Sequence, residues 1–152
     1  ACDGILLAAA GLKRLGIEEG EEWRFIRLSP EQFLPAGGQG ILAVETKADT
    51  EAHRLCSQID CRSSRLCLTA ERAVLEMLQA GCHAPVAVYA NLFEEDGETK
   101  LRLRGINGPE HASQLTDAEL KNKIRRVDLC GTLSEISVTT LADQAGKGLL
   151  WP

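Results

Sequence analysis

The chain has 152 residues, 44% of them hydrophobic and 26% charged, enough for one ordinary globular core or two small ones. A net charge of −5 excludes nucleic-acid binding through a broad basic face, while leaving room for a local basic pocket. No apolar run approaches the roughly 20 residues that a membrane-spanning helix needs.

Residues 4–10, "GILLAAA", are continuously apolar, the pattern of a strand covered on both faces. Lys13 and Arg14 follow this run instead of preceding it, so it is not expected to be a secretory signal. A chain that opens so close to a buried strand is expected to be part of something longer. Gly11 leads into a short helical stretch, "LKRLGIEEG". The Pro- and Gly-rich "SPEQFLPAGGQG" is loop, and "ILAVETKA" reads as a second buried strand. "DTEAHRLCSQID" reads as a helix capped by Asp49 or Thr50, with Ala52, Leu55 and Ile59 on one face. Strand and helix alternate through this first third, which is the α/β pattern.

Beyond it the pattern changes. Leu66, Ala70, Ala73, Val74, Met77 and Leu78 form a helical stripe, with Ser63 or Ser64 as the start cap and Gly81 as the residue just past the end. "PVAVYANLF" reads as a strand, Asp96-Gly97 as a hairpin turn and "TKLRLRGI" as the returning strand. Asn107-Gly108 marks another turn, a third strand is placed near 111–116, and "LCGTLSEISVTTLADQAGKG" reads as the closing helix. The expected fold class is α+β. Residues 63–152 form a C-terminal domain of helices on a small antiparallel sheet of about three strands, preceded by an incomplete α/β segment over 1–62.

The six cysteines are Cys2, Cys56, Cys61, Cys67, Cys82 and Cys130. None shows C-x-x-C spacing, so no structural metal site is expected, and the absence of a secretory segment with an ordinary core composition argues against a disulfide framework. Cys82 stands out because it sits in the joint between the striped helix and a Pro-led strand, where Gly, Asn, Asp or Pro is usual. It reads either as a buried thiol filling a gap or as an exposed attachment point. The C-terminal end of a helix does not favour a thiolate, which argues against a low-pKa catalytic cysteine there. Arg14, after the first apolar run, reads either as a solvated cation or as a ligand contact at a strand end. In "GGQG" at 37–40, backbone N–H groups and the Gln39 amide either serve a flexible connection or approach a ligand. His53 and His83 lack partners at motif spacing, and Lys121, Lys123, Arg125 and Arg126 read as a solvated face.

"DGILLAAAGLKRLG", "LPAGGQGILAVE" and "AERAVLEMLQAGCHAPVAVYA", in this order, resemble hydroxymethylbilane synthases, also called porphobilinogen deaminases. The likeness covers residues 3 to about 105, and the block around Cys82 is its most specific part. Ala80 and Ala84 depart from the usual Gly and Val or Ile. The resemblance implies a cytoplasmic transferase of tetrapyrrole and heme biosynthesis that condenses four porphobilinogen molecules into hydroxymethylbilane and releases ammonia. It implies a dipyrromethane cofactor held by Cys82 through a thioether, with Glu71, Arg72, Gly81 and Pro85 matching around it. Arg14 is then a contact for cofactor or substrate carboxylates, and Gln39 and Gly40 lie near the cofactor. Residues 1–62 correspond to the end of domain two and the strand and helix returning to domain one, and 63–152 to the cofactor-bearing third domain. The Asp that stabilises positive charge in the family's first domain has no counterpart here. The resemblance therefore implies no catalytic residue within this stretch, an inactive isolated chain and a need for the missing N-terminal domains. Alternatives are a non-catalytic ligand-binding module of the same fold, the C-terminal part of a fused tetrapyrrole-pathway enzyme, or a thiol enzyme pairing Cys82 with His83, whose side chains would point apart in extended chain.

Overall fold

A computed structural model describes residues 3–81, 83–133 and 136–151. Internal contacts divide the chain into two units, Ala1–Phe33 and Leu34–Pro152.

The first unit holds one helix, α1 (Ala9–Leu15), with no buried residue. It is closed by Gly16, whose left-handed φ of 66° brings its N–H onto the Leu12 and Lys13 carbonyls. Among the described residues of this unit there is no strand, so the strand expected over 4–10 is corrected. Residues 4–8 are unpaired, while Ala9 and Ala10 start the helix, as the high helix propensity of alanine allows. Ile5 and Leu6 are 71% and 68% exposed. A continuous apolar run specifies a strand only where neighbouring strands supply the ladder, and none pairs with this one.

The second unit begins with irregular chain. The strand expected over "ILAVETKA" is likewise unpaired, and Leu42 is 89% exposed. Helix α2 (Glu51–Cys56) runs on as a 3₁₀ turn, Ser57–Ile59. Thr50 caps it as expected, its hydroxyl accepting from the His53 N–H at 3.2 Å.

The rest is one layer of helices on one sheet. Helix α3 (Arg62–Met77), strands β1 (Val86–Glu95) and β2 (Glu98–Asn107), helix α4 (Asp117–Lys123), strand β3 (Arg125–Thr132) and helix α5 (Val138–Leu149) follow in order. The strands form an antiparallel meander, β1-β2-β3. Asp96 and Gly97, at φ 56° and 79°, make the tight β1–β2 turn that the Asp-Gly pair predicts. In register, Val88 faces Gly105, Ala90 faces Leu103 and Leu92 faces Leu101, and this side meets α3 and α5. The core is Ala70 and Val74 of α3, Val88 and Ala90 of β1, Leu101 and Leu103 of β2, and Leu141, Ala142, Ala145 and Leu149 of α5. Glycines let the layers approach. A Cβ at Gly105 would lie 2.6 Å from Leu149 Cδ1, and one at Gly146 would strike the Met77 sulfur. The sheet's other side carries Arg102, which donates to both Asp128 carboxylate oxygens at 2.7 and 2.6 Å.

Four local expectations are corrected. Helix α3 starts at Arg62, one residue after Cys61, without a side-chain cap from Ser63 or Ser64. It ends at Met77, and Gln79, not Gly81, takes the left-handed conformation at φ 50°, as the Ala80 N–H closes back onto the Leu75 carbonyl. The third strand is Arg125–Thr132 and not 111–116, where a 3₁₀ turn, Ala112–Gln114, precedes α4. Thr116 and Glu119 form a capping box that starts α4. The closing helix therefore begins at Val138, capped by the Ser137 hydroxyl.

Candidate functional site

Helix α3 has two working faces. Ala70 and Val74 enter the core, while Leu68, Glu71 and Leu75 form a second row at helical spacing. Residues 37–40, "GGQG", lie against this second row within the same unit. A Cβ on Gly37 would come within 2.7 Å of Leu75 Cδ1, and one on Gly38 within 3.3 Å of Leu68 Cδ1. Gly38 and Gly40 have φ of 76° and 85°, a conformation that favours glycine. The segment folds as two successive turns, closed by the Gln39 N–H on the Ala36 carbonyl (3.1 Å) and the Ile41 N–H on the Gly38 carbonyl (3.2 Å).

The one charged member of the row, Glu71, is 4% exposed. Its Oε2 accepts from the Gly38 N–H at 2.6 Å, and its Oε1 accepts from the Ala90 N–H at 2.7 Å. Ala90 belongs to β1, the edge strand, and its N–H serves Glu71 instead of the ladder. One carboxylate thus joins α3, β1 and the glycine loop. A buried carboxylate is tolerable when its oxygens take such donors.

Burial pushes the Glu71 carboxyl above its usual range, against the pull of the Ala90 and Gly38 N–H groups. The folded state therefore holds this proton more tightly than the unfolded chain does. The contribution is fully present below the ordinary value of 4.5 and is lost as pH rises through the raised value. The stability of the wild type minus that of Glu71→Gln is expected to fall as pH rises above the ordinary value of 4.5. A difference that grows with pH in denaturant titrations would contradict it.

Gln39 is exposed. Its Oε1 accepts from the Ala36 N–H at 3.2 Å, which leaves the side-chain NH₂ directed to solvent as two donors. Gly40 is exposed, with nothing within 4 Å of its Cβ position, so its backbone is open to a close approach. Arg14, in the last turn of α1, is exposed and has no ion-pair or hydrogen-bond partner among the described residues. It belongs to the other unit.

Cys82 lies outside the described residues. On either side of it, the Ala84 N–H donates to the Gly81 carbonyl at 3.0 Å and the Gly108 N–H to the Pro85 carbonyl at 2.9 Å. Arg72 is exposed. The structure brings Gln39 and Gly40 together with Glu71, whose joining role the sequence reading missed. The signal was present, since Glu71 is a lone charge in the apolar row Leu68, Leu75, Leu78.

Each unit, taken by itself, offers a donor suited to the carboxylates of a dipyrromethane: the Arg14 guanidinium in the first and the Gln39 side-chain NH₂ in the second, neither with an acceptor among the described residues. Among the described residues, Cys56, Cys61, Cys67 and Cys130 are free thiols. The hydroxyls of Ser63 and Ser64 lower the Cys61 thiol to about 7, whereas burial raises that of Cys67. No group of three or more metal-ligating side chains occurs among the described residues.

Two family models match the chain. Residues 1–54 match "Porphobilinogen deaminase, dipyromethane cofactor binding domain", and residues 65–135 match "Porphobilinogen deaminase, C-terminal domain". A porphobilinogen deaminase of Roseiflexus sp. is 38% identical over 97% of this chain and 46% of its own length. One of Coxiella burnetii is 39% identical over 74% of this chain and 40% of its own. Porphobilinogen deaminase 1 of Streptomyces avermitilis is 44% identical over 74% of this chain and 35% of its own. The chain spans less than half the length of these relatives. Two adjacent matches in one order, with Arg14, Gln39 and Gly40 inside the first and Glu71 and Cys82 inside the second, make this chain a member of the porphobilinogen deaminase family.

Proposed function

We propose that these residues are the C-terminal part of an enzyme that joins four porphobilinogen molecules head to tail into hydroxymethylbilane, releasing ammonia at each addition. The observation that carries the reading is the pair of adjacent family matches, with the Gly-Cys-x-x-Pro stretch inside the second. Bound dipyrromethane supplies the primer from which the product chain grows. In this reading the Cys82 sulfur holds that primer, the Arg14 guanidinium neutralises carboxylates of cofactor or substrate, and the Gln39 NH₂ donates to the bound group. Residues 63–152 are the cofactor-bearing domain, and residues 1–62 complete domains whose larger parts lie elsewhere in sequence. The unpaired apolar segments at 4–8 and 41–47 support this, because they present strand-like chain with nothing to pair with. The compartment we propose is the cytoplasm. No helix among the described residues is long and apolar enough to cross a membrane.

Residues that stabilise developing positive charge supply much of the catalysis in reactions of this type. The first-domain Asp that the resemblance implies for this role has no counterpart in these residues, so in this reading the isolated chain does not turn over. A chimera placing the N-terminal part of the Roseiflexus relative before these residues tests the proposal. The account expects porphobilinogen consumption and ammonia release by the chimera and none by the chain alone. Turnover by the chain alone, or an inert but folded chimera, would overturn it.

A further inference from the structure

We propose that Glu71 is a positioning residue of the cofactor site: its buried carboxylate, bound at once to the Gly38 and Ala90 N–H groups, sets the conformation of the 37–40 loop and so aims the Gln39 side-chain amide. What the amide contacts rests on the function proposed above; the positioning does not.

Gly37, Gly38 and Gly40 have no side chains to anchor them, and Gln39 is exposed. Three glycines in four residues, two of them flanking Gln39, leave its amide without a fixed direction. Two constraints act from outside. Leu68 and Leu75 press on Gly38 and Gly37, limiting where the backbone can lie but not how it is turned. The bond from the Gly38 N–H to Glu71 Oε2 is directional. It fixes the peptide plane between Gly37 and Gly38, one peptide before the one that joins Gly38 to Gln39. The Gln39 Oε1 then spends its acceptor on the Ala36 N–H, leaving only the NH₂ pointing outward.

The other oxygen of Glu71 accounts for why a carboxylate is needed. It holds the Ala90 N–H on the free edge of β1, a strand buried in the core through Val88 and Ala90 itself. The loop is thereby tied to a strand whose Val88 and Ala90 lie in the core. Glutamine in place of Glu71 keeps the shape but has one acceptor oxygen, so one of the two N–H groups must face an NH₂.

The test uses the 152-residue chain and its Glu71→Gln and Gly38→Ala variants, followed by NMR. Amide exchange at Gly38 and Ala90 and the Gln39 side-chain NH₂ resonances are recorded, with Leu101 and Leu103 amides as references. In Glu71→Gln, exchange at Gly38 or Ala90 is expected to rise by about tenfold or more while Leu101 and Leu103 stay protected. The Gln39 NH₂ signals should collapse toward random-coil values. Gly38→Ala disturbs the loop from its own side, at φ 76°, and should move the Gln39 signals while leaving Ala90 exchange unchanged. Should Glu71→Gln not fold, Gly38→Ala alone decides the matter by these two readings. Unmoved Gln39 signals in the folded variants would overturn the proposal. So would equal loss of protection at all four amides, the mark of a merely structural role. Porphobilinogen is then added to the wild type. Perturbed Gln39 NH₂ signals are expected, and a loss of that response of about tenfold in affinity in Glu71→Gln supports positioning toward the ligand. If the wild type ignores porphobilinogen while the exchange results hold, the role assigned to Gln39 fails and the positioning by Glu71 stands.

Discussion

In the chimera described above, Cys82→Ser is expected to carry no covalent dipyrromethane and to lose porphobilinogen consumption entirely. A thioether needs a sulfur nucleophile, and a serine hydroxyl at neutral pH is far weaker than a thiol, which always has some thiolate. The control is Cys61→Ser. Cys61 is exposed, and neighbouring serine hydroxyls lower its thiol to about 7, so it is the described cysteine most disposed to react. If intrinsic reactivity decided attachment, Cys61 would be modified. The account predicts that Cys61→Ser leaves both loading and turnover within about twofold, because attachment depends on where the primer is held and not on thiol acidity. Loading that survives Cys82→Ser, seen as added mass in the denatured protein, would sink the assignment.

Leu103→Ala is expected to destabilise the isolated chain by about 2–5 kcal/mol, because Leu103 is fully buried on the central strand beneath α3 and α5. On a chain of this length, that lowers Tm by about 5–20 °C. Leu42→Ser makes the opposite point. Leu42 is as apolar but 89% exposed, and its loss should change stability by no more than about 0.5 kcal/mol. Thermal melts of the two variants beside the wild type check both. A large cost at Leu42 would mean that the 41–47 segment is packed in the isolated chain, against the fold described here.

The hairpin was legible in the sequence because its signals agree. Asp96-Gly97 demands a tight turn, and the flanking residues alternate on both sides of it. The stripe of α3 was legible for the same reason. Strand β3 was not, since "RRVDLCGT" offers only Val127 and Leu129 as inward apolar residues and abuts a helix. The α4 start, with Thr116 three residues before Glu119, is a readable capping box that the strand placed at 111–116 obscured. The first third illustrates a different limit. Runs such as "GILLAAA" carry the composition of buried strands, but pairing is a property of two segments, and here the second is not among the described residues.

The candidate site divides along similar lines. Gln39 and Gly40 stand out because a triple-glycine loop is rare enough to notice, and Cys82 because of the joint it occupies. Glu71 could be noticed as a lone charge in the apolar row of α3, but not what it binds. Its function is non-local, joining residues 33 positions before it and 19 positions after it, and no periodicity encodes that.

The measurement that bears most directly on the central claim is the intact mass of the purified chimera, with peptide mapping of every cysteine after thiol alkylation. The account predicts an added mass of two linked pyrroles on the peptide containing Cys82, and Cys61 alkylated and free of it. An alkylated, unadorned Cys82 in a chimera that consumes porphobilinogen would contradict it.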